Sequence, residues 1–269
     1  MLFRSIAGDE IHTIVDYRNR YALYKRDADL QAAHAAHPFL SSFDDHEVDN
    51  NWAGETSEED GSGASPAVPP EYFALRKQMA FHAWYENMPV RRAQLPRGPQ
   101  IQAYRRLRYG RLAEISVLDT RQYRDDQPCG DGTKEACAAA LRPDAQILGA
   151  YQERWLFDGL ARSETTWNVL AQQVMMMRRD VATGAGPALL SMDKWDGYAG
   201  ARDRLMRHLG AARVKGLVVL TGDVHNAWAG DLKADFLNPA SATLGTEFVA
   251  TSITTGGDGF EIDEIGRAH

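Results

Sequence analysis

Residues 216–225 read Gly-Leu-Val-Val-Leu-Thr-Gly-Asp-Val-His, and the fold class that we expect follows from this stretch. The apolar run at its start is uninterrupted, which is typical of a central strand covered on both faces of an α/β sheet. Asp223 and His225 come directly after that strand. If the chain stays extended there, a spacing of two residues turns both side chains to the same side, as two ligands of one metal ion require. The alternative is that Asp223 caps the next helix and His225 makes an ordinary hydrogen bond.

A second segment, near the start of the chain, has a similar arrangement. Residues 37–43, His-Pro-Phe-Leu-Ser-Ser-Phe, follow a helical pattern, and we predict that the proline stops the helix and a buried strand follows. Asp44, Asp45, His46 and Glu47 come next. Ligands bind beyond the carboxyl ends of the strands in open α/β sheets, so we expect the two segments to converge on one site. Carboxylate and imidazole groups suit Ca²⁺, Mn²⁺, Fe³⁺ or Zn²⁺. The alternative for this segment is a solvated cluster of charges.

The rest of the chain predicts further helices and strands. Apolar residues at three- and four-residue steps predict helices, whereas apolar runs between turn signals predict strands. The predicted helices are a pair within residues 16–37, then 71–87, 151–160 and 202–209. The predicted strands are 101–109 and 112–118, joined by a tight turn at Gly110, and 248–254, while 166–177 is predicted as strand first and helix second.

The composition disfavours several classes of protein. The chain has 269 residues, 44% hydrophobic and 25% charged, which fits one large globular α/β domain or two small ones. The net charge is −7 and no dense Lys/Arg block is present, so nonspecific binding to nucleic acid is not expected. No run of about 18 apolar residues occurs, so no transmembrane helix is expected. Residues 1–9 lack the features of a signal peptide, so export cannot be inferred from them.

Two further features concern loops. Cys129 and Cys137 flank a short Gly- and Asp-containing loop, a spacing that would close a small disulfide in an oxidising compartment. The alternative is two unpaired thiols, and the context of a structural zinc site is missing.

Residues 55–70 are acidic and then rich in Gly, Ser, Ala and Pro, so we expect a flexible surface insertion there.

Several motifs occur together over nearly the whole chain. They are Asp-Tyr-Arg-Asn-Arg-Tyr-Ala-Leu-Tyr-Lys at 16–25, Asp-Leu-Gln-Ala-Ala-His at 29–34, Asp-Asp-His-Glu-Val-Asp-Asn-Asn at 44–51, Leu-Asp-Thr-Arg-Gln-Tyr-Arg at 118–124, Trp167 with Gln172 and Gln173, Leu-Thr-Gly-Asp-Val-His at 220–225, and residues 252–259. Each motif alone has modest specificity, whereas the set is specific. In order and spacing, it resembles the PhoD-like alkaline phosphatases.

This resemblance implies a fold and a reaction. The implied fold is α/β, a partial calcineurin-like metallophosphoesterase sandwich of two mixed β-sheets flanked by helices, with residues 1–269 as part of the catalytic domain. The implied reaction is metal-dependent hydrolysis of small phosphate monoesters and diesters, as in an alkaline phosphatase or phosphodiesterase. Members often use Ca²⁺ and Fe³⁺, with Mn²⁺ or Zn²⁺ as alternatives, and are typically secreted or periplasmic.

The resemblance also implies roles for single residues. Asp45 takes the place of the metal-ligating Asn in the more common Gly-Asn-His-Glu motif, with Asp44 as the alternative ligand. His46 follows as the phosphate-binding or proton-donating histidine. Asp223 and His225 match later metal ligands.

Other assignments stay open between two interpretations. Arg121 either orients the substrate or pairs with a carboxylate. Asn50 and Asn51 either support the ligands by hydrogen bonds or cap the loop.

The sequence departs from the family pattern in two respects. The resemblance implies that the extreme C-terminus is missing, because the sequence stops soon after Gly259, inside what would be the sheet region of the family. Complete members have an N-terminal β-rich domain, then early strands that supply a Cys ligand and a Gly-Asp-Tyr-Ile-Tyr-Glu type motif, and neither is found in residues 1–269. We therefore expect an incomplete metal centre with reduced metal affinity. The alternative function is a non-catalytic fragment that acts as a binding or structural module. A nuclease is disfavoured by the acidic charge.

Overall fold

The computed structural model describes residues 10–57, 68–183 and 185–253. The chain divides into two compact units, Met1–Ala103 and Tyr104–His269, and each is described by itself.

Helices dominate the described part of the first unit. They are α1 (Ile14–Tyr24), α2 (Ala28–Ala36) and α3 (Pro70–Asn87), followed by a short 3₁₀ turn at Arg92–Gln94. A capping box begins α1, because the Thr13 side chain accepts a hydrogen bond from the Asp16 N–H and the Asp16 carboxylate accepts one from the Thr13 N–H. Proline at the first position of α3 is favourable because its missing N–H would have no partner there. The predicted helices at 16–37 and 71–87 are confirmed.

The strand predicted at 37–43 is wrong. Residues 38–44 form neither strand nor helix, and Phe39 and Leu40 are 40% and 41% exposed. Phe43 alone of the three apolar side chains is buried, and its ring packs 5.1 Å from Phe81 and 5.5 Å from Trp84. A single buried side chain anchors this segment to the helical core, so no pairing strand is needed.

The second unit is built on a six-stranded mixed sheet. Its strands are β1 (Arg105–Tyr109), β2 (Ala113–Val117), β4 (Trp167–Ala171), β6 (Leu217–Thr221), β7 (Trp228–Lys233) and β8 (Thr243–Val249), in the order β1-β2-β4-β6-β8-β7. Strands β2, β4, β6 and β8 are parallel, and the edge strands β1 and β7 are antiparallel to their neighbours. A separate small antiparallel sheet pairs β3 (Thr133–Lys134) with β5 (Leu190–Ser191). The helices are α4 (Gly149–Arg162) and α5 (Ala199–Ala212). The predicted α/β class, with a mixed sheet flanked by helices, is confirmed, and the second sheet is small.

The central strand is confirmed, but its burial differs from the prediction. Strand β6 lies between β4 and β8. Leu217 and Val219 are buried, whereas Val218 is half-buried and Leu220 is 46% exposed. The buried side chains share one core with apolar residues of both helices, namely Leu156, Leu160, Leu205 and Leu209. The prediction that both faces are covered is therefore wrong for the described residues.

Other predicted elements are confirmed in part. The turn between β1 and β2 contains Gly110 at φ +56°, which glycine adopts without strain. Strand β4 ends at Ala171, and residues 172–177 form no helix. The predicted final strand begins earlier, as β8, and ends at Val249, with Thr254 outside the described residues. Strand β7 was not predicted.

Most of the insertion predicted at 55–70 lies outside the described residues, since 58–67 are not described. No helix in the described ranges combines the length and apolarity needed to cross a bilayer.

The predicted disulfide between Cys129 and Cys137 is present. It closes a loop with a sequence separation of 8. Replacing both cysteines by alanine is expected to lower the free energy of unfolding by about 2–3 kcal/mol, because the unfolded chain regains the entropy of an open loop. Urea denaturation of the variant and of the native protein, each with and without reductant, measures this loss. Reductant should affect only the native protein, and equal stability of all four samples would contradict the prediction.

Candidate functional site

The parallel strands of the second unit end side by side at one edge of the sheet. Val117 of β2 pairs with Ala171 of β4, which pairs with Leu220 of β6. We call the segments that follow these strands, 118–124, 172–173 and 222–225, together with Asp193 and Lys194, the polar edge. It contains three of the predicted site residues, which are Arg121, Asp223 and His225.

The segment after β6 is a tight left-handed turn. Asp223 and His225 have φ values of +68° and +63°. The Gly222 N–H donates to the Gln173 carbonyl at 3.2 Å, and the Val224 N–H donates to the Gly222 carbonyl at 2.8 Å. The predicted extended conformation is therefore wrong, because these bonds curl the chain as soon as the strand ends. Left-handed backbone at residues other than glycine costs free energy, and such strain concentrates at functional sites.

Two cationic side chains face the Asp223 carboxylate. Its Oδ2 atom forms an ion pair with the Lys194 ammonium group, and its Oδ1 atom lies 3.5 Å from Arg121 Nη2. Burial alone would lower the pKa of Lys194, but the Asp223 and Asp193 carboxylates outweigh that effect and the pKa is raised. The ammonium group therefore carries its charge at neutral pH.

Asp193 connects the arginines of the polar edge. Its Oδ1 atom accepts hydrogen bonds from Arg121 Nη1 at 2.9 Å, Arg124 Nη2 at 2.7 Å and Gln127 Nε2 at 3.0 Å. Arg124 Nη1 also donates to the Asp193 carbonyl at 3.1 Å. Both guanidinium groups are 0% exposed. Of the two interpretations of Arg121, the pairing with a carboxylate is present, and the role in orienting substrate stays a prediction.

A set of side-chain amides fixes the backbone that carries Arg121. Asp119 Oδ1 accepts from the Arg121 N–H at 3.0 Å and from the Gln122 N–H at 2.9 Å. Gln173 Oε1 accepts from the Thr120 N–H at 3.0 Å, and its Nε2 donates to the Leu118 carbonyl at 2.9 Å. Because Gln173 also binds Gly222 through its own carbonyl, it ties the end of β2 to the end of β6.

A buried carboxylate lies behind the polar edge. Glu247 of β8 is 0% exposed and accepts hydrogen bonds from Thr221 Oγ1 at 2.6 Å, the Met176 N–H at 2.9 Å and the Met177 N–H at 2.6 Å. Burial raises its pKa, although these hydrogen bonds act in the opposite direction. Glu247 holds the last residue of β6 against the segment after β4, and no sequence pattern pointed to it.

The side chains of the left-handed turn fit an oxygen- and nitrogen-ligated metal ion. Asp223 offers a carboxylate on a side chain that is 7% exposed, and His225, which is 8% exposed, offers an imidazole. Thr251 Oγ1 donates to the His225 carbonyl at 2.9 Å, which fixes the backbone of that residue. The two cysteines of the chain are joined in a disulfide, so neither can act as a thiolate ligand. This donor chemistry suits Ca²⁺, Mn²⁺, Fe³⁺ or Zn²⁺.

The acidic segment of the first unit folds into a turn around Asp45. The Asp45 carboxylate accepts hydrogen bonds from the His46 N–H at 2.9 Å and from the Asn51 N–H at 3.1 Å. Glu47 Oε2 accepts one from the Asp44 N–H at 2.8 Å. The His46 side chain is 20% exposed, with its Nε2 atom 3.9 Å from Asp45 Oδ2.

An ion-pair network supports this turn from behind. Arg76 of α3 lies 3.1 Å from Asp49 Oδ1 through Nη1 and donates through Nε to the Tyr17 hydroxyl at 3.0 Å. The Tyr17 hydroxyl donates to the Val48 carbonyl at 2.5 Å. Burial raises the pKa of Tyr17 to about 12, so the hydroxyl keeps its proton at neutral pH. The network therefore fastens α1 and α3 to the turn, and sequence reasoning missed it.

The predicted site residues are thus distributed over both units. Asp44, Asp45 and His46 belong to the first unit, and Arg121, Asp223 and His225 belong to the second. The expectation that both segments act on the same ions stays a prediction.

Comparisons with known proteins identify relatives of this chain. The sequence profile of a family described as PhoD-like phosphatase matches residues 2–267. Alkaline phosphatase D of Bacillus subtilis (strain 168) is 48% identical over 250 residues, which cover 93% of this chain and 42% of that protein. A solved structure titled "Structure of PhoD" matches 95% of this chain and 48% of its own, at 46% identity and a TM-score of 0.86. The chain spans less than half the length of either relative.

Proposed function

Because the chain belongs to the PhoD-like phosphatase family, we propose that it is a metal-dependent hydrolase of small phosphate monoesters and diesters. The observation that carries this proposal is the left-handed turn at Asp223 and His225, held at the carboxyl end of a central parallel strand. The carboxyl edge of a parallel sheet is where such folds bind ligands. The 48% identity to alkaline phosphatase D supports the same reaction class.

The proposed metal ligands are Asp223 and His225 of the second unit and Asp44 and Asp45 of the first. The proposed ions are Ca²⁺ and Fe³⁺, with Mn²⁺ and Zn²⁺ as the alternatives to test. Such ions, when bound, neutralise charge on phosphoryl oxygens and lower the pKa of coordinated water.

The remaining polar groups are proposed to bind substrate and to move a proton. His46 is 20% exposed, so its imidazole can reach a phosphate ester and protonate the leaving oxygen. Arg121 contributes positive charge toward the phosphate from a fixed position, because Asp193 holds its Nη1 atom. Neighbouring Arg124, also held by Asp193, adds to the positive potential of the polar edge.

Removal of metal is expected to abolish hydrolysis. We predict that dialysis against EDTA lowers the rate of p-nitrophenyl phosphate and bis-p-nitrophenyl phosphate hydrolysis at least about a hundredfold, because charge stabilisation and water activation are lost together. Initial rates are measured before chelation, after chelation, and after adding back Ca²⁺ with Fe³⁺, or Mn²⁺, or Zn²⁺. Rates that resist chelation, or no turnover with any of these ions, would contradict the proposed function.

The alternative function is that of a non-catalytic binding or structural module. One observation favours it: Leu220 and Phe248, paired across β6 and β8, are 46% and 48% exposed on one face of the sheet. Exposed apolar sheet surface is typical of an interaction face. The hydrolysis measurements separate the two functions, since a binding module would not turn over either ester.

We also propose that the protein works in an oxidising compartment outside the cytoplasm. The disulfide between Cys129 and Cys137 supports this location, because disulfides persist in oxidising environments and are rare in the cytosol. Thiol labelling of protein from its native host tests the proposal, and reduced cysteines there would refute it.

A further inference from the structure

The Asp223 carboxylate is already neutralised by groups of the chain itself. Lys194 binds Oδ2 through its ammonium group, and Arg121 Nη2 faces Oδ1 at 3.5 Å. The Asp223 side chain is only 7% exposed. A metal ion that binds this carboxylate must therefore either displace one of these two cationic groups or bind close to it.

The two cations differ in how firmly they are held. Arg121 is 0% exposed, donates to Asp193 through Nη1, and is carried on a backbone that Asp119 fixes. Lys194 is 18% exposed and ends in a point charge on a flexible four-carbon stem. Of the two, Lys194 is the side chain that can leave the carboxylate without dismantling the polar edge.

We infer that Lys194 sets the metal affinity of the proposed centre, because its ammonium group competes with a divalent or trivalent cation for Asp223 Oδ2. The inference rests on the proposed function, in which Asp223 is a metal ligand. An ammonium group on a carboxylate oxygen occupies one of the lone pairs that a metal ion could use. Its positive charge also repels the incoming ion. Lys194 therefore keeps the carboxylate paired when no metal is present and withdraws when an ion binds.

The test is metal binding by the full chain, without any assay of activity. Mn²⁺ and Ca²⁺ are titrated calorimetrically into the wild type, Lys194→Gln and Lys194→Arg. Lys194→Gln is expected to bind Mn²⁺ about tenfold or more tightly, the size of effect that one nearby charge has on a buried ionisable group. Lys194→Arg keeps the charge, so it should show no such gain.

Two controls separate competition from general effects. Lys215→Gln removes a charge from an exposed lysine of the same unit and should leave the affinity unchanged. In an Asp223→Asn background, adding Lys194→Gln should raise the affinity less than it does in the wild type, since the competition for the carboxylate is lost and only the repulsion of the ion remains. Thermal unfolding midpoints of all variants verify that each one folds.

The outcomes distinguish failure of this inference from failure of the proposed function. If Lys194→Gln binds Mn²⁺ as the wild type does, or more weakly, while Asp223→Asn loses affinity, then Asp223 is a ligand and the competition is refuted. If Lys194→Gln binds Mn²⁺ more weakly than the wild type, Lys194 positions the carboxylate for the ion. If Asp223→Asn binds like the wild type, or the wild type binds neither ion, the metal assignment of the proposed function fails, and the inference with it.

Discussion

Asp223→Asn is expected to lower metal affinity and phosphate-ester turnover each by at least about a hundredfold. The amide keeps the shape of the side chain but not its charge, so a cation at the left-handed turn loses one anionic ligand. Metal content after dialysis, measured by elemental analysis, and initial rates with p-nitrophenyl phosphate give the two quantities. His225→Ala is expected to act in the same direction, because it removes the second donor of the turn.

Asp158→Asn is the matched control for this prediction. Asp158 is exposed on α4 of the same unit, and the substitution changes the net charge by the same amount. It should leave both metal content and turnover unchanged. If Asp223→Asn retains wild-type metal stoichiometry and affinity, the turn is not a metal-binding element, whatever happens to turnover.

The helices were the most predictable part of the fold, because local signals specify them. The capping box at Thr13 and Asp16, and the proline that begins α3, act within one turn of the chain. The apolar run of β6 was equally clear, since such a run is typical of a central strand. By contrast, the apolar stretch at 37–43 contributes only Phe43 to a core and forms no strand. Composition alone cannot distinguish a segment that buries a single side chain from a segment that pairs as a strand.

The types of residue at the candidate site were predictable, but their conformation was not. Asp223 and His225 were recognised by their position after a strand. Their left-handed backbone follows the hydrogen bond from the Gly222 N–H to the Gln173 carbonyl, and Gln173 lies in the segment after β4, far away along the chain. The glycine before Asp223 was the one local signal of a turn.

Asp193 was missed for a related reason. Its partners Arg121 and Arg124 lie 72 and 69 residues away along the chain, so no spacing rule connects them. The pairing arises only when the segment after β5 reaches the carboxyl edge of the large sheet. Sequence periodicity reports which residues share a face of one element, and it contains no information on contacts of this range.

The same long-range contacts predict a large loss of stability when Asp193 is truncated. Asp193→Ala is expected to lower the free energy of unfolding by about 3–5 kcal/mol, because two buried guanidinium groups lose a shared charged partner. Equilibrium urea denaturation, followed by tryptophan fluorescence, measures the change. Asp144→Ala is the matched control, since Asp144 pairs with Arg142 at 3.1 Å while its side chain is 77% exposed. That surface pair should contribute about 1 kcal/mol or less.

A conservative substitution keeps this prediction testable if Asp193→Ala does not fold. Asp193→Asn retains one carbonyl acceptor near Arg121 and Arg124 without the negative charge. Its loss of unfolding free energy should therefore lie between the losses of the two alanine variants. From the largest loss of stability to the smallest, the expected order is therefore Asp193→Ala, Asp193→Asn, then Asp144→Ala. Asp193→Ala could instead lower the free energy of unfolding no more than Asp144→Ala does. In that case other groups neutralise the two guanidinium groups, and Asp193 does not hold Arg121 in the way that its proposed role requires.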